Sequence, residues 1–375
     1  MELDSSTTQR TFTRTARILS ALQMDGPLLA GLGLLALISL VVLYSASGAS
    51  SSVVISQAIK FLFGAAVMLA VAQLPRRLIR SSAPWLYGIG LLLLLLVMIK
   101  GSSALGAQRW LDLKIVRFQP SEIMKLAMPL FCAWYLHERP LPPSLRDVAI
   151  LTMVILVPTA LIAKQPDLGT AVLVLAAGGV ALVLAGLKKR YILGVLLLMI
   201  PAAWIGWTHM HDYQRQRVIT FLDPQSDPLG AGYHIIQSQI AIGSGGVFGK
   251  GYLNGSQAQL EFLPERATDF IFAVIGEEWG LVGLVTLLLL YLFIIGRCLY
   301  IAANAQDTFS RILSGSLALT FAVYVFVNTG MVTGLLPVVG VPLPLVSYGG
   351  SSMVTLMAGF GIIMAIHARR RLVGR

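Results

Sequence analysis

Apolar residues run along this chain in stretches close to 20 residues long, broken by short polar segments. An α-helix needs about 20 such residues to cross the hydrocarbon core of a bilayer. Leu91 to Val97 and Val282 to Leu290 sit inside two of these stretches. Segments of about 10 residues with strict alternation, the mark of a membrane β-barrel, are absent. The pattern predicts ten helices, near 27–46, 53–74, 84–100, 119–137, 148–163, 168–187, 191–208, 268–296, 312–335 and 347–367. The expected fold class is an all-α polytopic integral membrane protein. Its membrane domain would span 27–367, with a large outer loop, 209–267, between the seventh and eighth helices. The segments 1–26 and 368–375 would be tails.

Composition agrees. Hydrophobic residues make up 56% of the 375 positions and charged residues 12%, about half the share usual in soluble domains. The first 26 residues are mostly polar and show no cleavable signal, and the run from Pro27 to Tyr44 is long enough to stay as a helix. Cys132 and Cys298 fall in or beside apolar segments, where neither a structural disulfide nor a metal spacing is expected.

Charge then orients the chain, because Lys and Arg concentrate on the cytoplasmic side of a membrane. With the N-terminus inside, 17 of the 28 basic residues fall in inside segments, among them Arg10, Arg76, Arg139, Lys188, Arg297 and Arg369. An even number of spans places both termini in the cytoplasm. The net charge of +11 is then a property of topology and of attraction to anionic lipid. No basic face with base-reading elements is present, so nucleic acid is not an expected partner.

The other basic residues run against this bias. Lys60, Lys100, Arg109, Lys114, Arg117, Lys125, Lys164, Arg215, Arg217, Lys250 and Arg266 lie in outer segments or the outer half of the membrane. They either snorkel to headgroups or hold an anionic ligand on the outer side. Two outer segments, Gly101 to Phe118 and His209 to Ala267, are too long for plain connectors. The second carries an amphipathic stretch, Tyr233 to Ile242, that reads as an interfacial helix. It also carries a glycine run from Gly243 to Gly255 around Lys250. That run either offers backbone N–H groups to a phosphate or forms a close-packed turn.

Ionisable residues inside membrane segments are functional candidates. Glu122 and Lys125, three apart at the head of a helix, share a face and can pair. Asp167 lies in a helix break, Lys164-Gln-Pro-Asp-Leu-Gly169, where it is either a helix cap or a group lining a wet cavity. Asp269 enters an apolar run beside Arg266. It is either a first-turn carboxylate favoured by the helix dipole or an acid/base group at a cavity mouth. Glu277 and Glu278 read as structural hydrogen-bonding groups. His209 and His211 lack a third ligand for zinc. Pro337 to Ser352 reads as a kinked turn entering the last helix. No nucleophile triad, phosphate-binding loop or dinucleotide fingerprint is present. These features leave a membrane enzyme and a transporter both open.

Five segments carry a resemblance across nearly the whole chain. They are Gln119-Pro-Ser-Glu-Ile-Met-Lys125, Lys164-Gln-Pro-Asp-Leu-Gly-Thr170, Gln237-Ser-Gln-Ile-Ala-Ile-Gly-Ser-Gly-Gly246, Glu261-Phe-Leu-Pro-Glu-Arg266 with Thr268 to Glu278, and Pro342-Leu-Pro-Leu-Val-Ser-Tyr-Gly-Gly-Ser-Ser352. Together they resemble the SEDS family (shape, elongation, division and sporulation). Gly330 to Pro342 is similar to its elongation branch rather than its division branch. Ala267 departs from the pattern, which has histidine before Thr-Asp-Phe.

The resemblance implies a peptidoglycan glycosyltransferase in the bacterial cytoplasmic membrane. Its substrate would be lipid II, polymerised into β-1,4-linked glycan with release of undecaprenyl diphosphate. Asp269 would be the base that activates the acceptor hydroxyl. A class B penicillin-binding protein, a transpeptidase, would be its partner. The chemistry asks for cations or a metal where charge develops on the diphosphate. Arg109, Lys125, Lys250 and Arg266 are the local supply, and Glu122 and Asp167 would orient them or hold a divalent ion, Mg or Mn. The alternative is a transporter or flippase of the lipid-linked precursor, which needs no base. The topology is tested by reporter fusions. A reporter active only in the cytoplasm should work when fused after Arg375 or within 188–190, and should be silent near Ser256. Activity at Ser256 would reverse the orientation.

Overall fold

A computed structural model describes residues 24–373, apart from 105–106, 113–116, most of 192–218, 228–229 and 261. The helix expected at 191–208, the pair His209 and His211, and Lys114 and Arg217 therefore lie wholly or mostly outside the described residues, as do most of the expected tail 1–26 and the end of 368–375.

The other nine expected segments are helices: α1 Gly26–Ala46, α2 Ser51–Ala72, α3 Arg76–Lys100, α4 Pro120–Leu136, α5 Leu145–Lys164, α6 Leu168–Leu184, α9 Ile271–Ala303, α10 Thr308–Val332 and α11 Ser351–Val373. Among the described residues, seven are long and apolar enough to cross a membrane. The last helix runs through Val373, past the end expected near 367. Between α6 and α9 lie α7 Ala231–Ser244 and the single turn α8 Ser256–Gln259. The amphipathic stretch Tyr233 to Ile242 is thus helical.

Local chemistry sets several helix starts. Asp25 caps α1 by accepting from Leu28 N at 3.0 Å, and Asp307 caps α10 by accepting from Ser310 N at 2.9 Å. Ser144 and Asp147 form a capping box at α5. Each cap satisfies donors that the first turn leaves free. The segment 101–118 folds into a small antiparallel sheet, β1 Ser102–Ala104, β2 Ala107–Asp112 and β3 Arg117–Phe118, in the order β1-β2-β3. It marks what we call the hairpin end of the bundle.

The helices pack around α4, α6, α9, α10 and α11. Of the seven membrane-length helices, α10 and α11 are the most buried and α2 and α3 the least. Leu62, Phe63 and Ile99 are largely exposed on these outer helices, where bare apolar surface suits lipid. At the end opposite the hairpin, Asp25 ties three helices together. Arg297 of α9 donates to it at 2.9 and 2.7 Å, and His367 of α11 lies 3.2 Å away. Arg76 meets Asp307 at 2.7 Å and Arg139 meets Asp147 at 2.5 Å. Several arginines that orient the chain are therefore also ion-paired.

α9 breaks at Gly280, where φ is +65° and ψ −161°. The glycine run lies against this break. Lys250 N and Gly251 N donate to Glu277 O and Glu278 O, both at 3.0 Å, while Leu281 N and Val282 N donate to Gly246 O and Val247 O at 3.0 and 3.1 Å. Of the two sequence readings, the close-packed turn is the one that forms. A Cβ at Gly280 would fall 2.3 Å from Gly249 N and 2.6 Å from Val247 O. Gly280→Ala therefore combines a strained φ, about 1–3 kcal/mol, with a backbone clash. It should lower the thermal midpoint of the purified protein by several degrees, whereas alanine at the open Gly179 should not.

Candidate active site

Between the hairpin, α4, α6, α7, α10 and the 333–350 segment lies a cavity of about 700 Å³. Its lining includes Arg109, Glu122, Lys125, Asp167 and Asp269. Five of the seven expected site residues, from four parts of the chain, therefore meet in one space.

The floor is a buried charge network. Lys125 Nζ donates to Glu122 Oε1 at 2.6 Å and to the hydroxyl of Tyr324 on α10. Thr355 of α11 donates to Glu122 Oε2 at 3.0 Å. Lys125 and Glu122 are 8% and 4% exposed, so each is held where an unpaired charge would be costly. An ammonium has three donors, and this arrangement leaves one for a ligand.

The second cluster surrounds the cap of α6. Asp167 accepts from Thr170 N at 3.3 Å and from Gln119 Nε2 at 2.7 Å. Arg109 reaches from β2, with Nη1 3.8 Å from Asp167 Oδ1 and Nη2 donating to Pro166 O. Among the described residues its buried Nε has no partner. Asp167 is both a cap and a cavity-lining group, so its two sequence readings hold together. Gly169 lets the 333–350 segment come close, since a Cβ there would lie 2.7 Å from Val339 O.

Asp269 lies just ahead of α9, half-buried. Asn328 of α10 fixes its backbone, donating to Asp269 O at 2.9 Å and to Val341 O at 2.7 Å. Among the described residues none donates to its carboxylate. Burial, then the nearby Glu265 carboxylate, push its pKa up from 3.8 to about 6, partly offset by Arg109. A carboxylate with free lone pairs and a pKa near neutrality is suited to accept a proton.

Lys250 and Arg266 do not line this cavity. Lys250 pairs with the fully buried Glu277 at 2.7 Å, and Glu277 also accepts from Gln257 N at 2.9 Å and Ala258 N at 3.2 Å. Arg266 donates to Ala46 O at 2.8 Å and to Ala258 O. Both cations hold the glycine-rich loop to the bundle. Beside the cavity lie three residues without a cue in the sequence: Tyr324 and Thr355, which sit in apolar runs, and His234 of α7. His234 stacks on Phe270 with centroids 5.8 Å apart, and burial lowers its pKa.

Glu122 is engaged by Lys125 and the Thr355 hydroxyl, Asp167 by two amides and Arg109, and among the described residues no three His, Cys, Asp or Glu side chains group to hold an ion.

The family model described as Cell cycle protein, covering the FtsW, RodA and SpoVE types, matches residues 22–372. The chain belongs to this family. It is 55% identical over 341 residues to the peptidoglycan glycosyltransferase MrdB of Escherichia coli K12, covering 90% of this chain and 91% of that protein. The Helicobacter pylori peptidoglycan glycosyltransferase MrdB is 39% identical over 86% of each. A chain solved in a peptidoglycan synthase complex, described as coordinating polymerization and crosslinking, matches with a TM-score of 0.81 at 34% identity. The match covers 92% of this chain and 98% of that one. The rod shape determining protein RodA of Thermus thermophilus matches at 0.71 and 31%, over 92% and 97%. The chain is a multi-pass membrane protein, as its helices require.

The raised pKa of Asp269 has a sign that can be measured. The folded chain holds this proton more tightly than the unfolded chain, so stability falls as pH rises from about 4 to about 6 and the full cost remains above that. Asp269→Asn removes the cost. It should raise the thermal midpoint at pH 7.5, with a smaller gain at pH 4. An equal gain at both values would show that Asp269 titrates normally.

Proposed function

We propose that this chain is an inverting peptidoglycan glycosyltransferase that polymerises lipid II at the outer face of the bacterial cytoplasmic membrane during elongation. The observation that carries the reading is the free, half-buried carboxylate of Asp269 in one cavity with Arg109 and Lys125. A flippase needs the cations but not the base.

In this mechanism the Asp269 carboxylate accepts the proton of the GlcNAc 4-hydroxyl of one unit. The hydroxyl oxygen bonds to the MurNAc anomeric carbon of another unit as the bond from that carbon to the phosphate oxygen breaks. The α-linked donor becomes a β-1,4 product, and undecaprenyl diphosphate leaves with the electron pair. Negative charge develops on the bridging oxygen. The Nε of Arg109, without a partner among the described residues, and the remaining donor of Lys125 would meet it, and preorganised donors of this kind act most strongly out of bulk water. Glu122 and Asp167 set those two cations rather than react. A divalent ion, Mg or Mn, would ride on the diphosphate as part of the substrate, since the carboxylates are already engaged. Both termini would be cytoplasmic, in keeping with the basic-residue bias. The partner would be a class B penicillin-binding protein that crosslinks the product.

Purified protein, lipid II and a divalent ion, with glycan resolved on a gel, test this directly. Asp269→Asn should slow polymerisation by roughly 100-fold to 10,000-fold, the usual contribution of a general base. The wild-type rate should rise with pH through about 6, the pKa of Asp269. Arg109→Ala or Lys125→Ala should each cost roughly 100-fold, while Lys250→Ala should act through stability. Near-normal polymerisation by a folded Asn variant would remove Asp269 as base. No polymerisation by wild type, even with its transpeptidase, would favour the flippase.

A further inference from the structure

At the end of the bundle opposite the hairpin, an open groove of about 1190 Å³ lies between the start of α3 and the end of α4. One side carries Arg77 and Arg80, three apart on one face of α3 and both exposed. The other carries Phe131, Trp134 and Tyr135. These rings are half-exposed, and Phe131 and Trp134 are in contact, with centroids 5.4 Å apart.

The charges in the groove do not balance. Arg139 is spent on Asp147 at 2.5 Å and lies over the Tyr135 ring at 4.0 Å. Glu138 meets His137 at 3.1 Å. Neighbouring Arg76 is paired with Asp307. Among the described residues no carboxylate comes within ion-pair distance of Arg77 or Arg80, although carboxylates serve the arginines on either side. The groove also sits at the start of α3, one of the seven membrane-length helices, where headgroups meet hydrocarbon. Leu78 and Trp85 of α3 are 50% and 73% exposed beside it, so its outer margin is a lipid-facing surface. Aromatic rings and arginines at this depth match an amphiphile with a phosphate head and acyl tails.

We propose that this groove is a binding site for one anionic phospholipid. Its phosphate lies between Arg77 and Arg80, and its acyl chains run along Leu78 and Trp85. Guanidinium groups suit the phosphate diester because they present paired donors in a plane. A soluble acidic peptide would satisfy the arginines but not the apolar margin.

The test is native mass spectrometry of the full-length protein released from nanodiscs of phosphatidylethanolamine with phosphatidylglycerol. Wild type should keep one phosphatidylglycerol through mild activation. Arg77→Gln with Arg80→Gln should bind it about 30-fold more weakly, about fivefold for each charge near the surface, with an unchanged thermal midpoint. Lys188→Gln with Lys189→Gln, which removes two exposed charges elsewhere on the same end, should retain it. Three results would overturn the proposal: undiminished retention in the arginine variant, equal retention of phosphatidylcholine by wild type, or equal loss in the lysine control. Displacement of the lipid by a glutamate-rich peptide would instead assign the groove to a protein partner.

Discussion

The cavity depends on one stretch of non-helical backbone, 333–350, buried over most of 341–347, whose polar groups are met there by side chains from neighbouring helices. Ser39 of α1 donates to Val346 O at 2.8 Å, Gln57 of α2 to Ser347 O at 3.2 Å, Tyr291 of α9 to Pro344 O at 2.6 Å and Asn328 of α10 to Val341 O at 2.7 Å. Without water to satisfy it, irregular backbone in such surroundings survives only if protein groups replace the ladder of a helix. Four helices are thereby fixed relative to the segment that borders Asp269.

The same segment links the two ends of the chemistry. Ser347 Oγ donates to Thr268 O and Tyr348 N to Ala267 O at 2.8 Å, so the turn bearing Asp269 is tied to the turn that opens α11. α11 in turn supplies Thr355 to Glu122. The base and the cationic floor thus share supports, and a displacement of 333–350 would disturb both. Asp269 itself, with no hydrogen-bond donor among the described residues, is costly to the fold but keeps its lone pairs available, a division expected where function requires a destabilised group.

Charge has two separate uses at the two ends. Opposite the hairpin, Asp25, Asp147 and Asp307 neutralise arginines and staple helices, and Arg77 and Arg80 are left to the groove. At the hairpin end, two carboxylates that pair with cations also aim them: Glu122 aims Lys125, and Asp167 aims Arg109. Lys250 and Arg266, equally cationic, are consumed by Glu277 and by backbone carbonyls in holding a loop.

The sequence by itself determined the class of fold and most of the spans, because length and apolarity are local requirements of a bilayer. It also marked Glu122, Lys125, Asp167 and Asp269, since charge in an apolar run is conspicuous before any folding. It exposed the two readings of the glycine run without choosing between them. Only the tertiary structure made that choice, through the break at Gly280, whose partner backbone lies about 30 positions earlier in the chain. It alone joined Tyr324 and Thr355 to the cation floor, and turned Lys250 and Arg266 away from the cavity. A hydroxyl in an apolar helix and a lysine in a loop carry no local sign of which neighbour they will face. That is fixed by how helices distant in sequence pack, and by which buried donors and acceptors remain to be satisfied when they do.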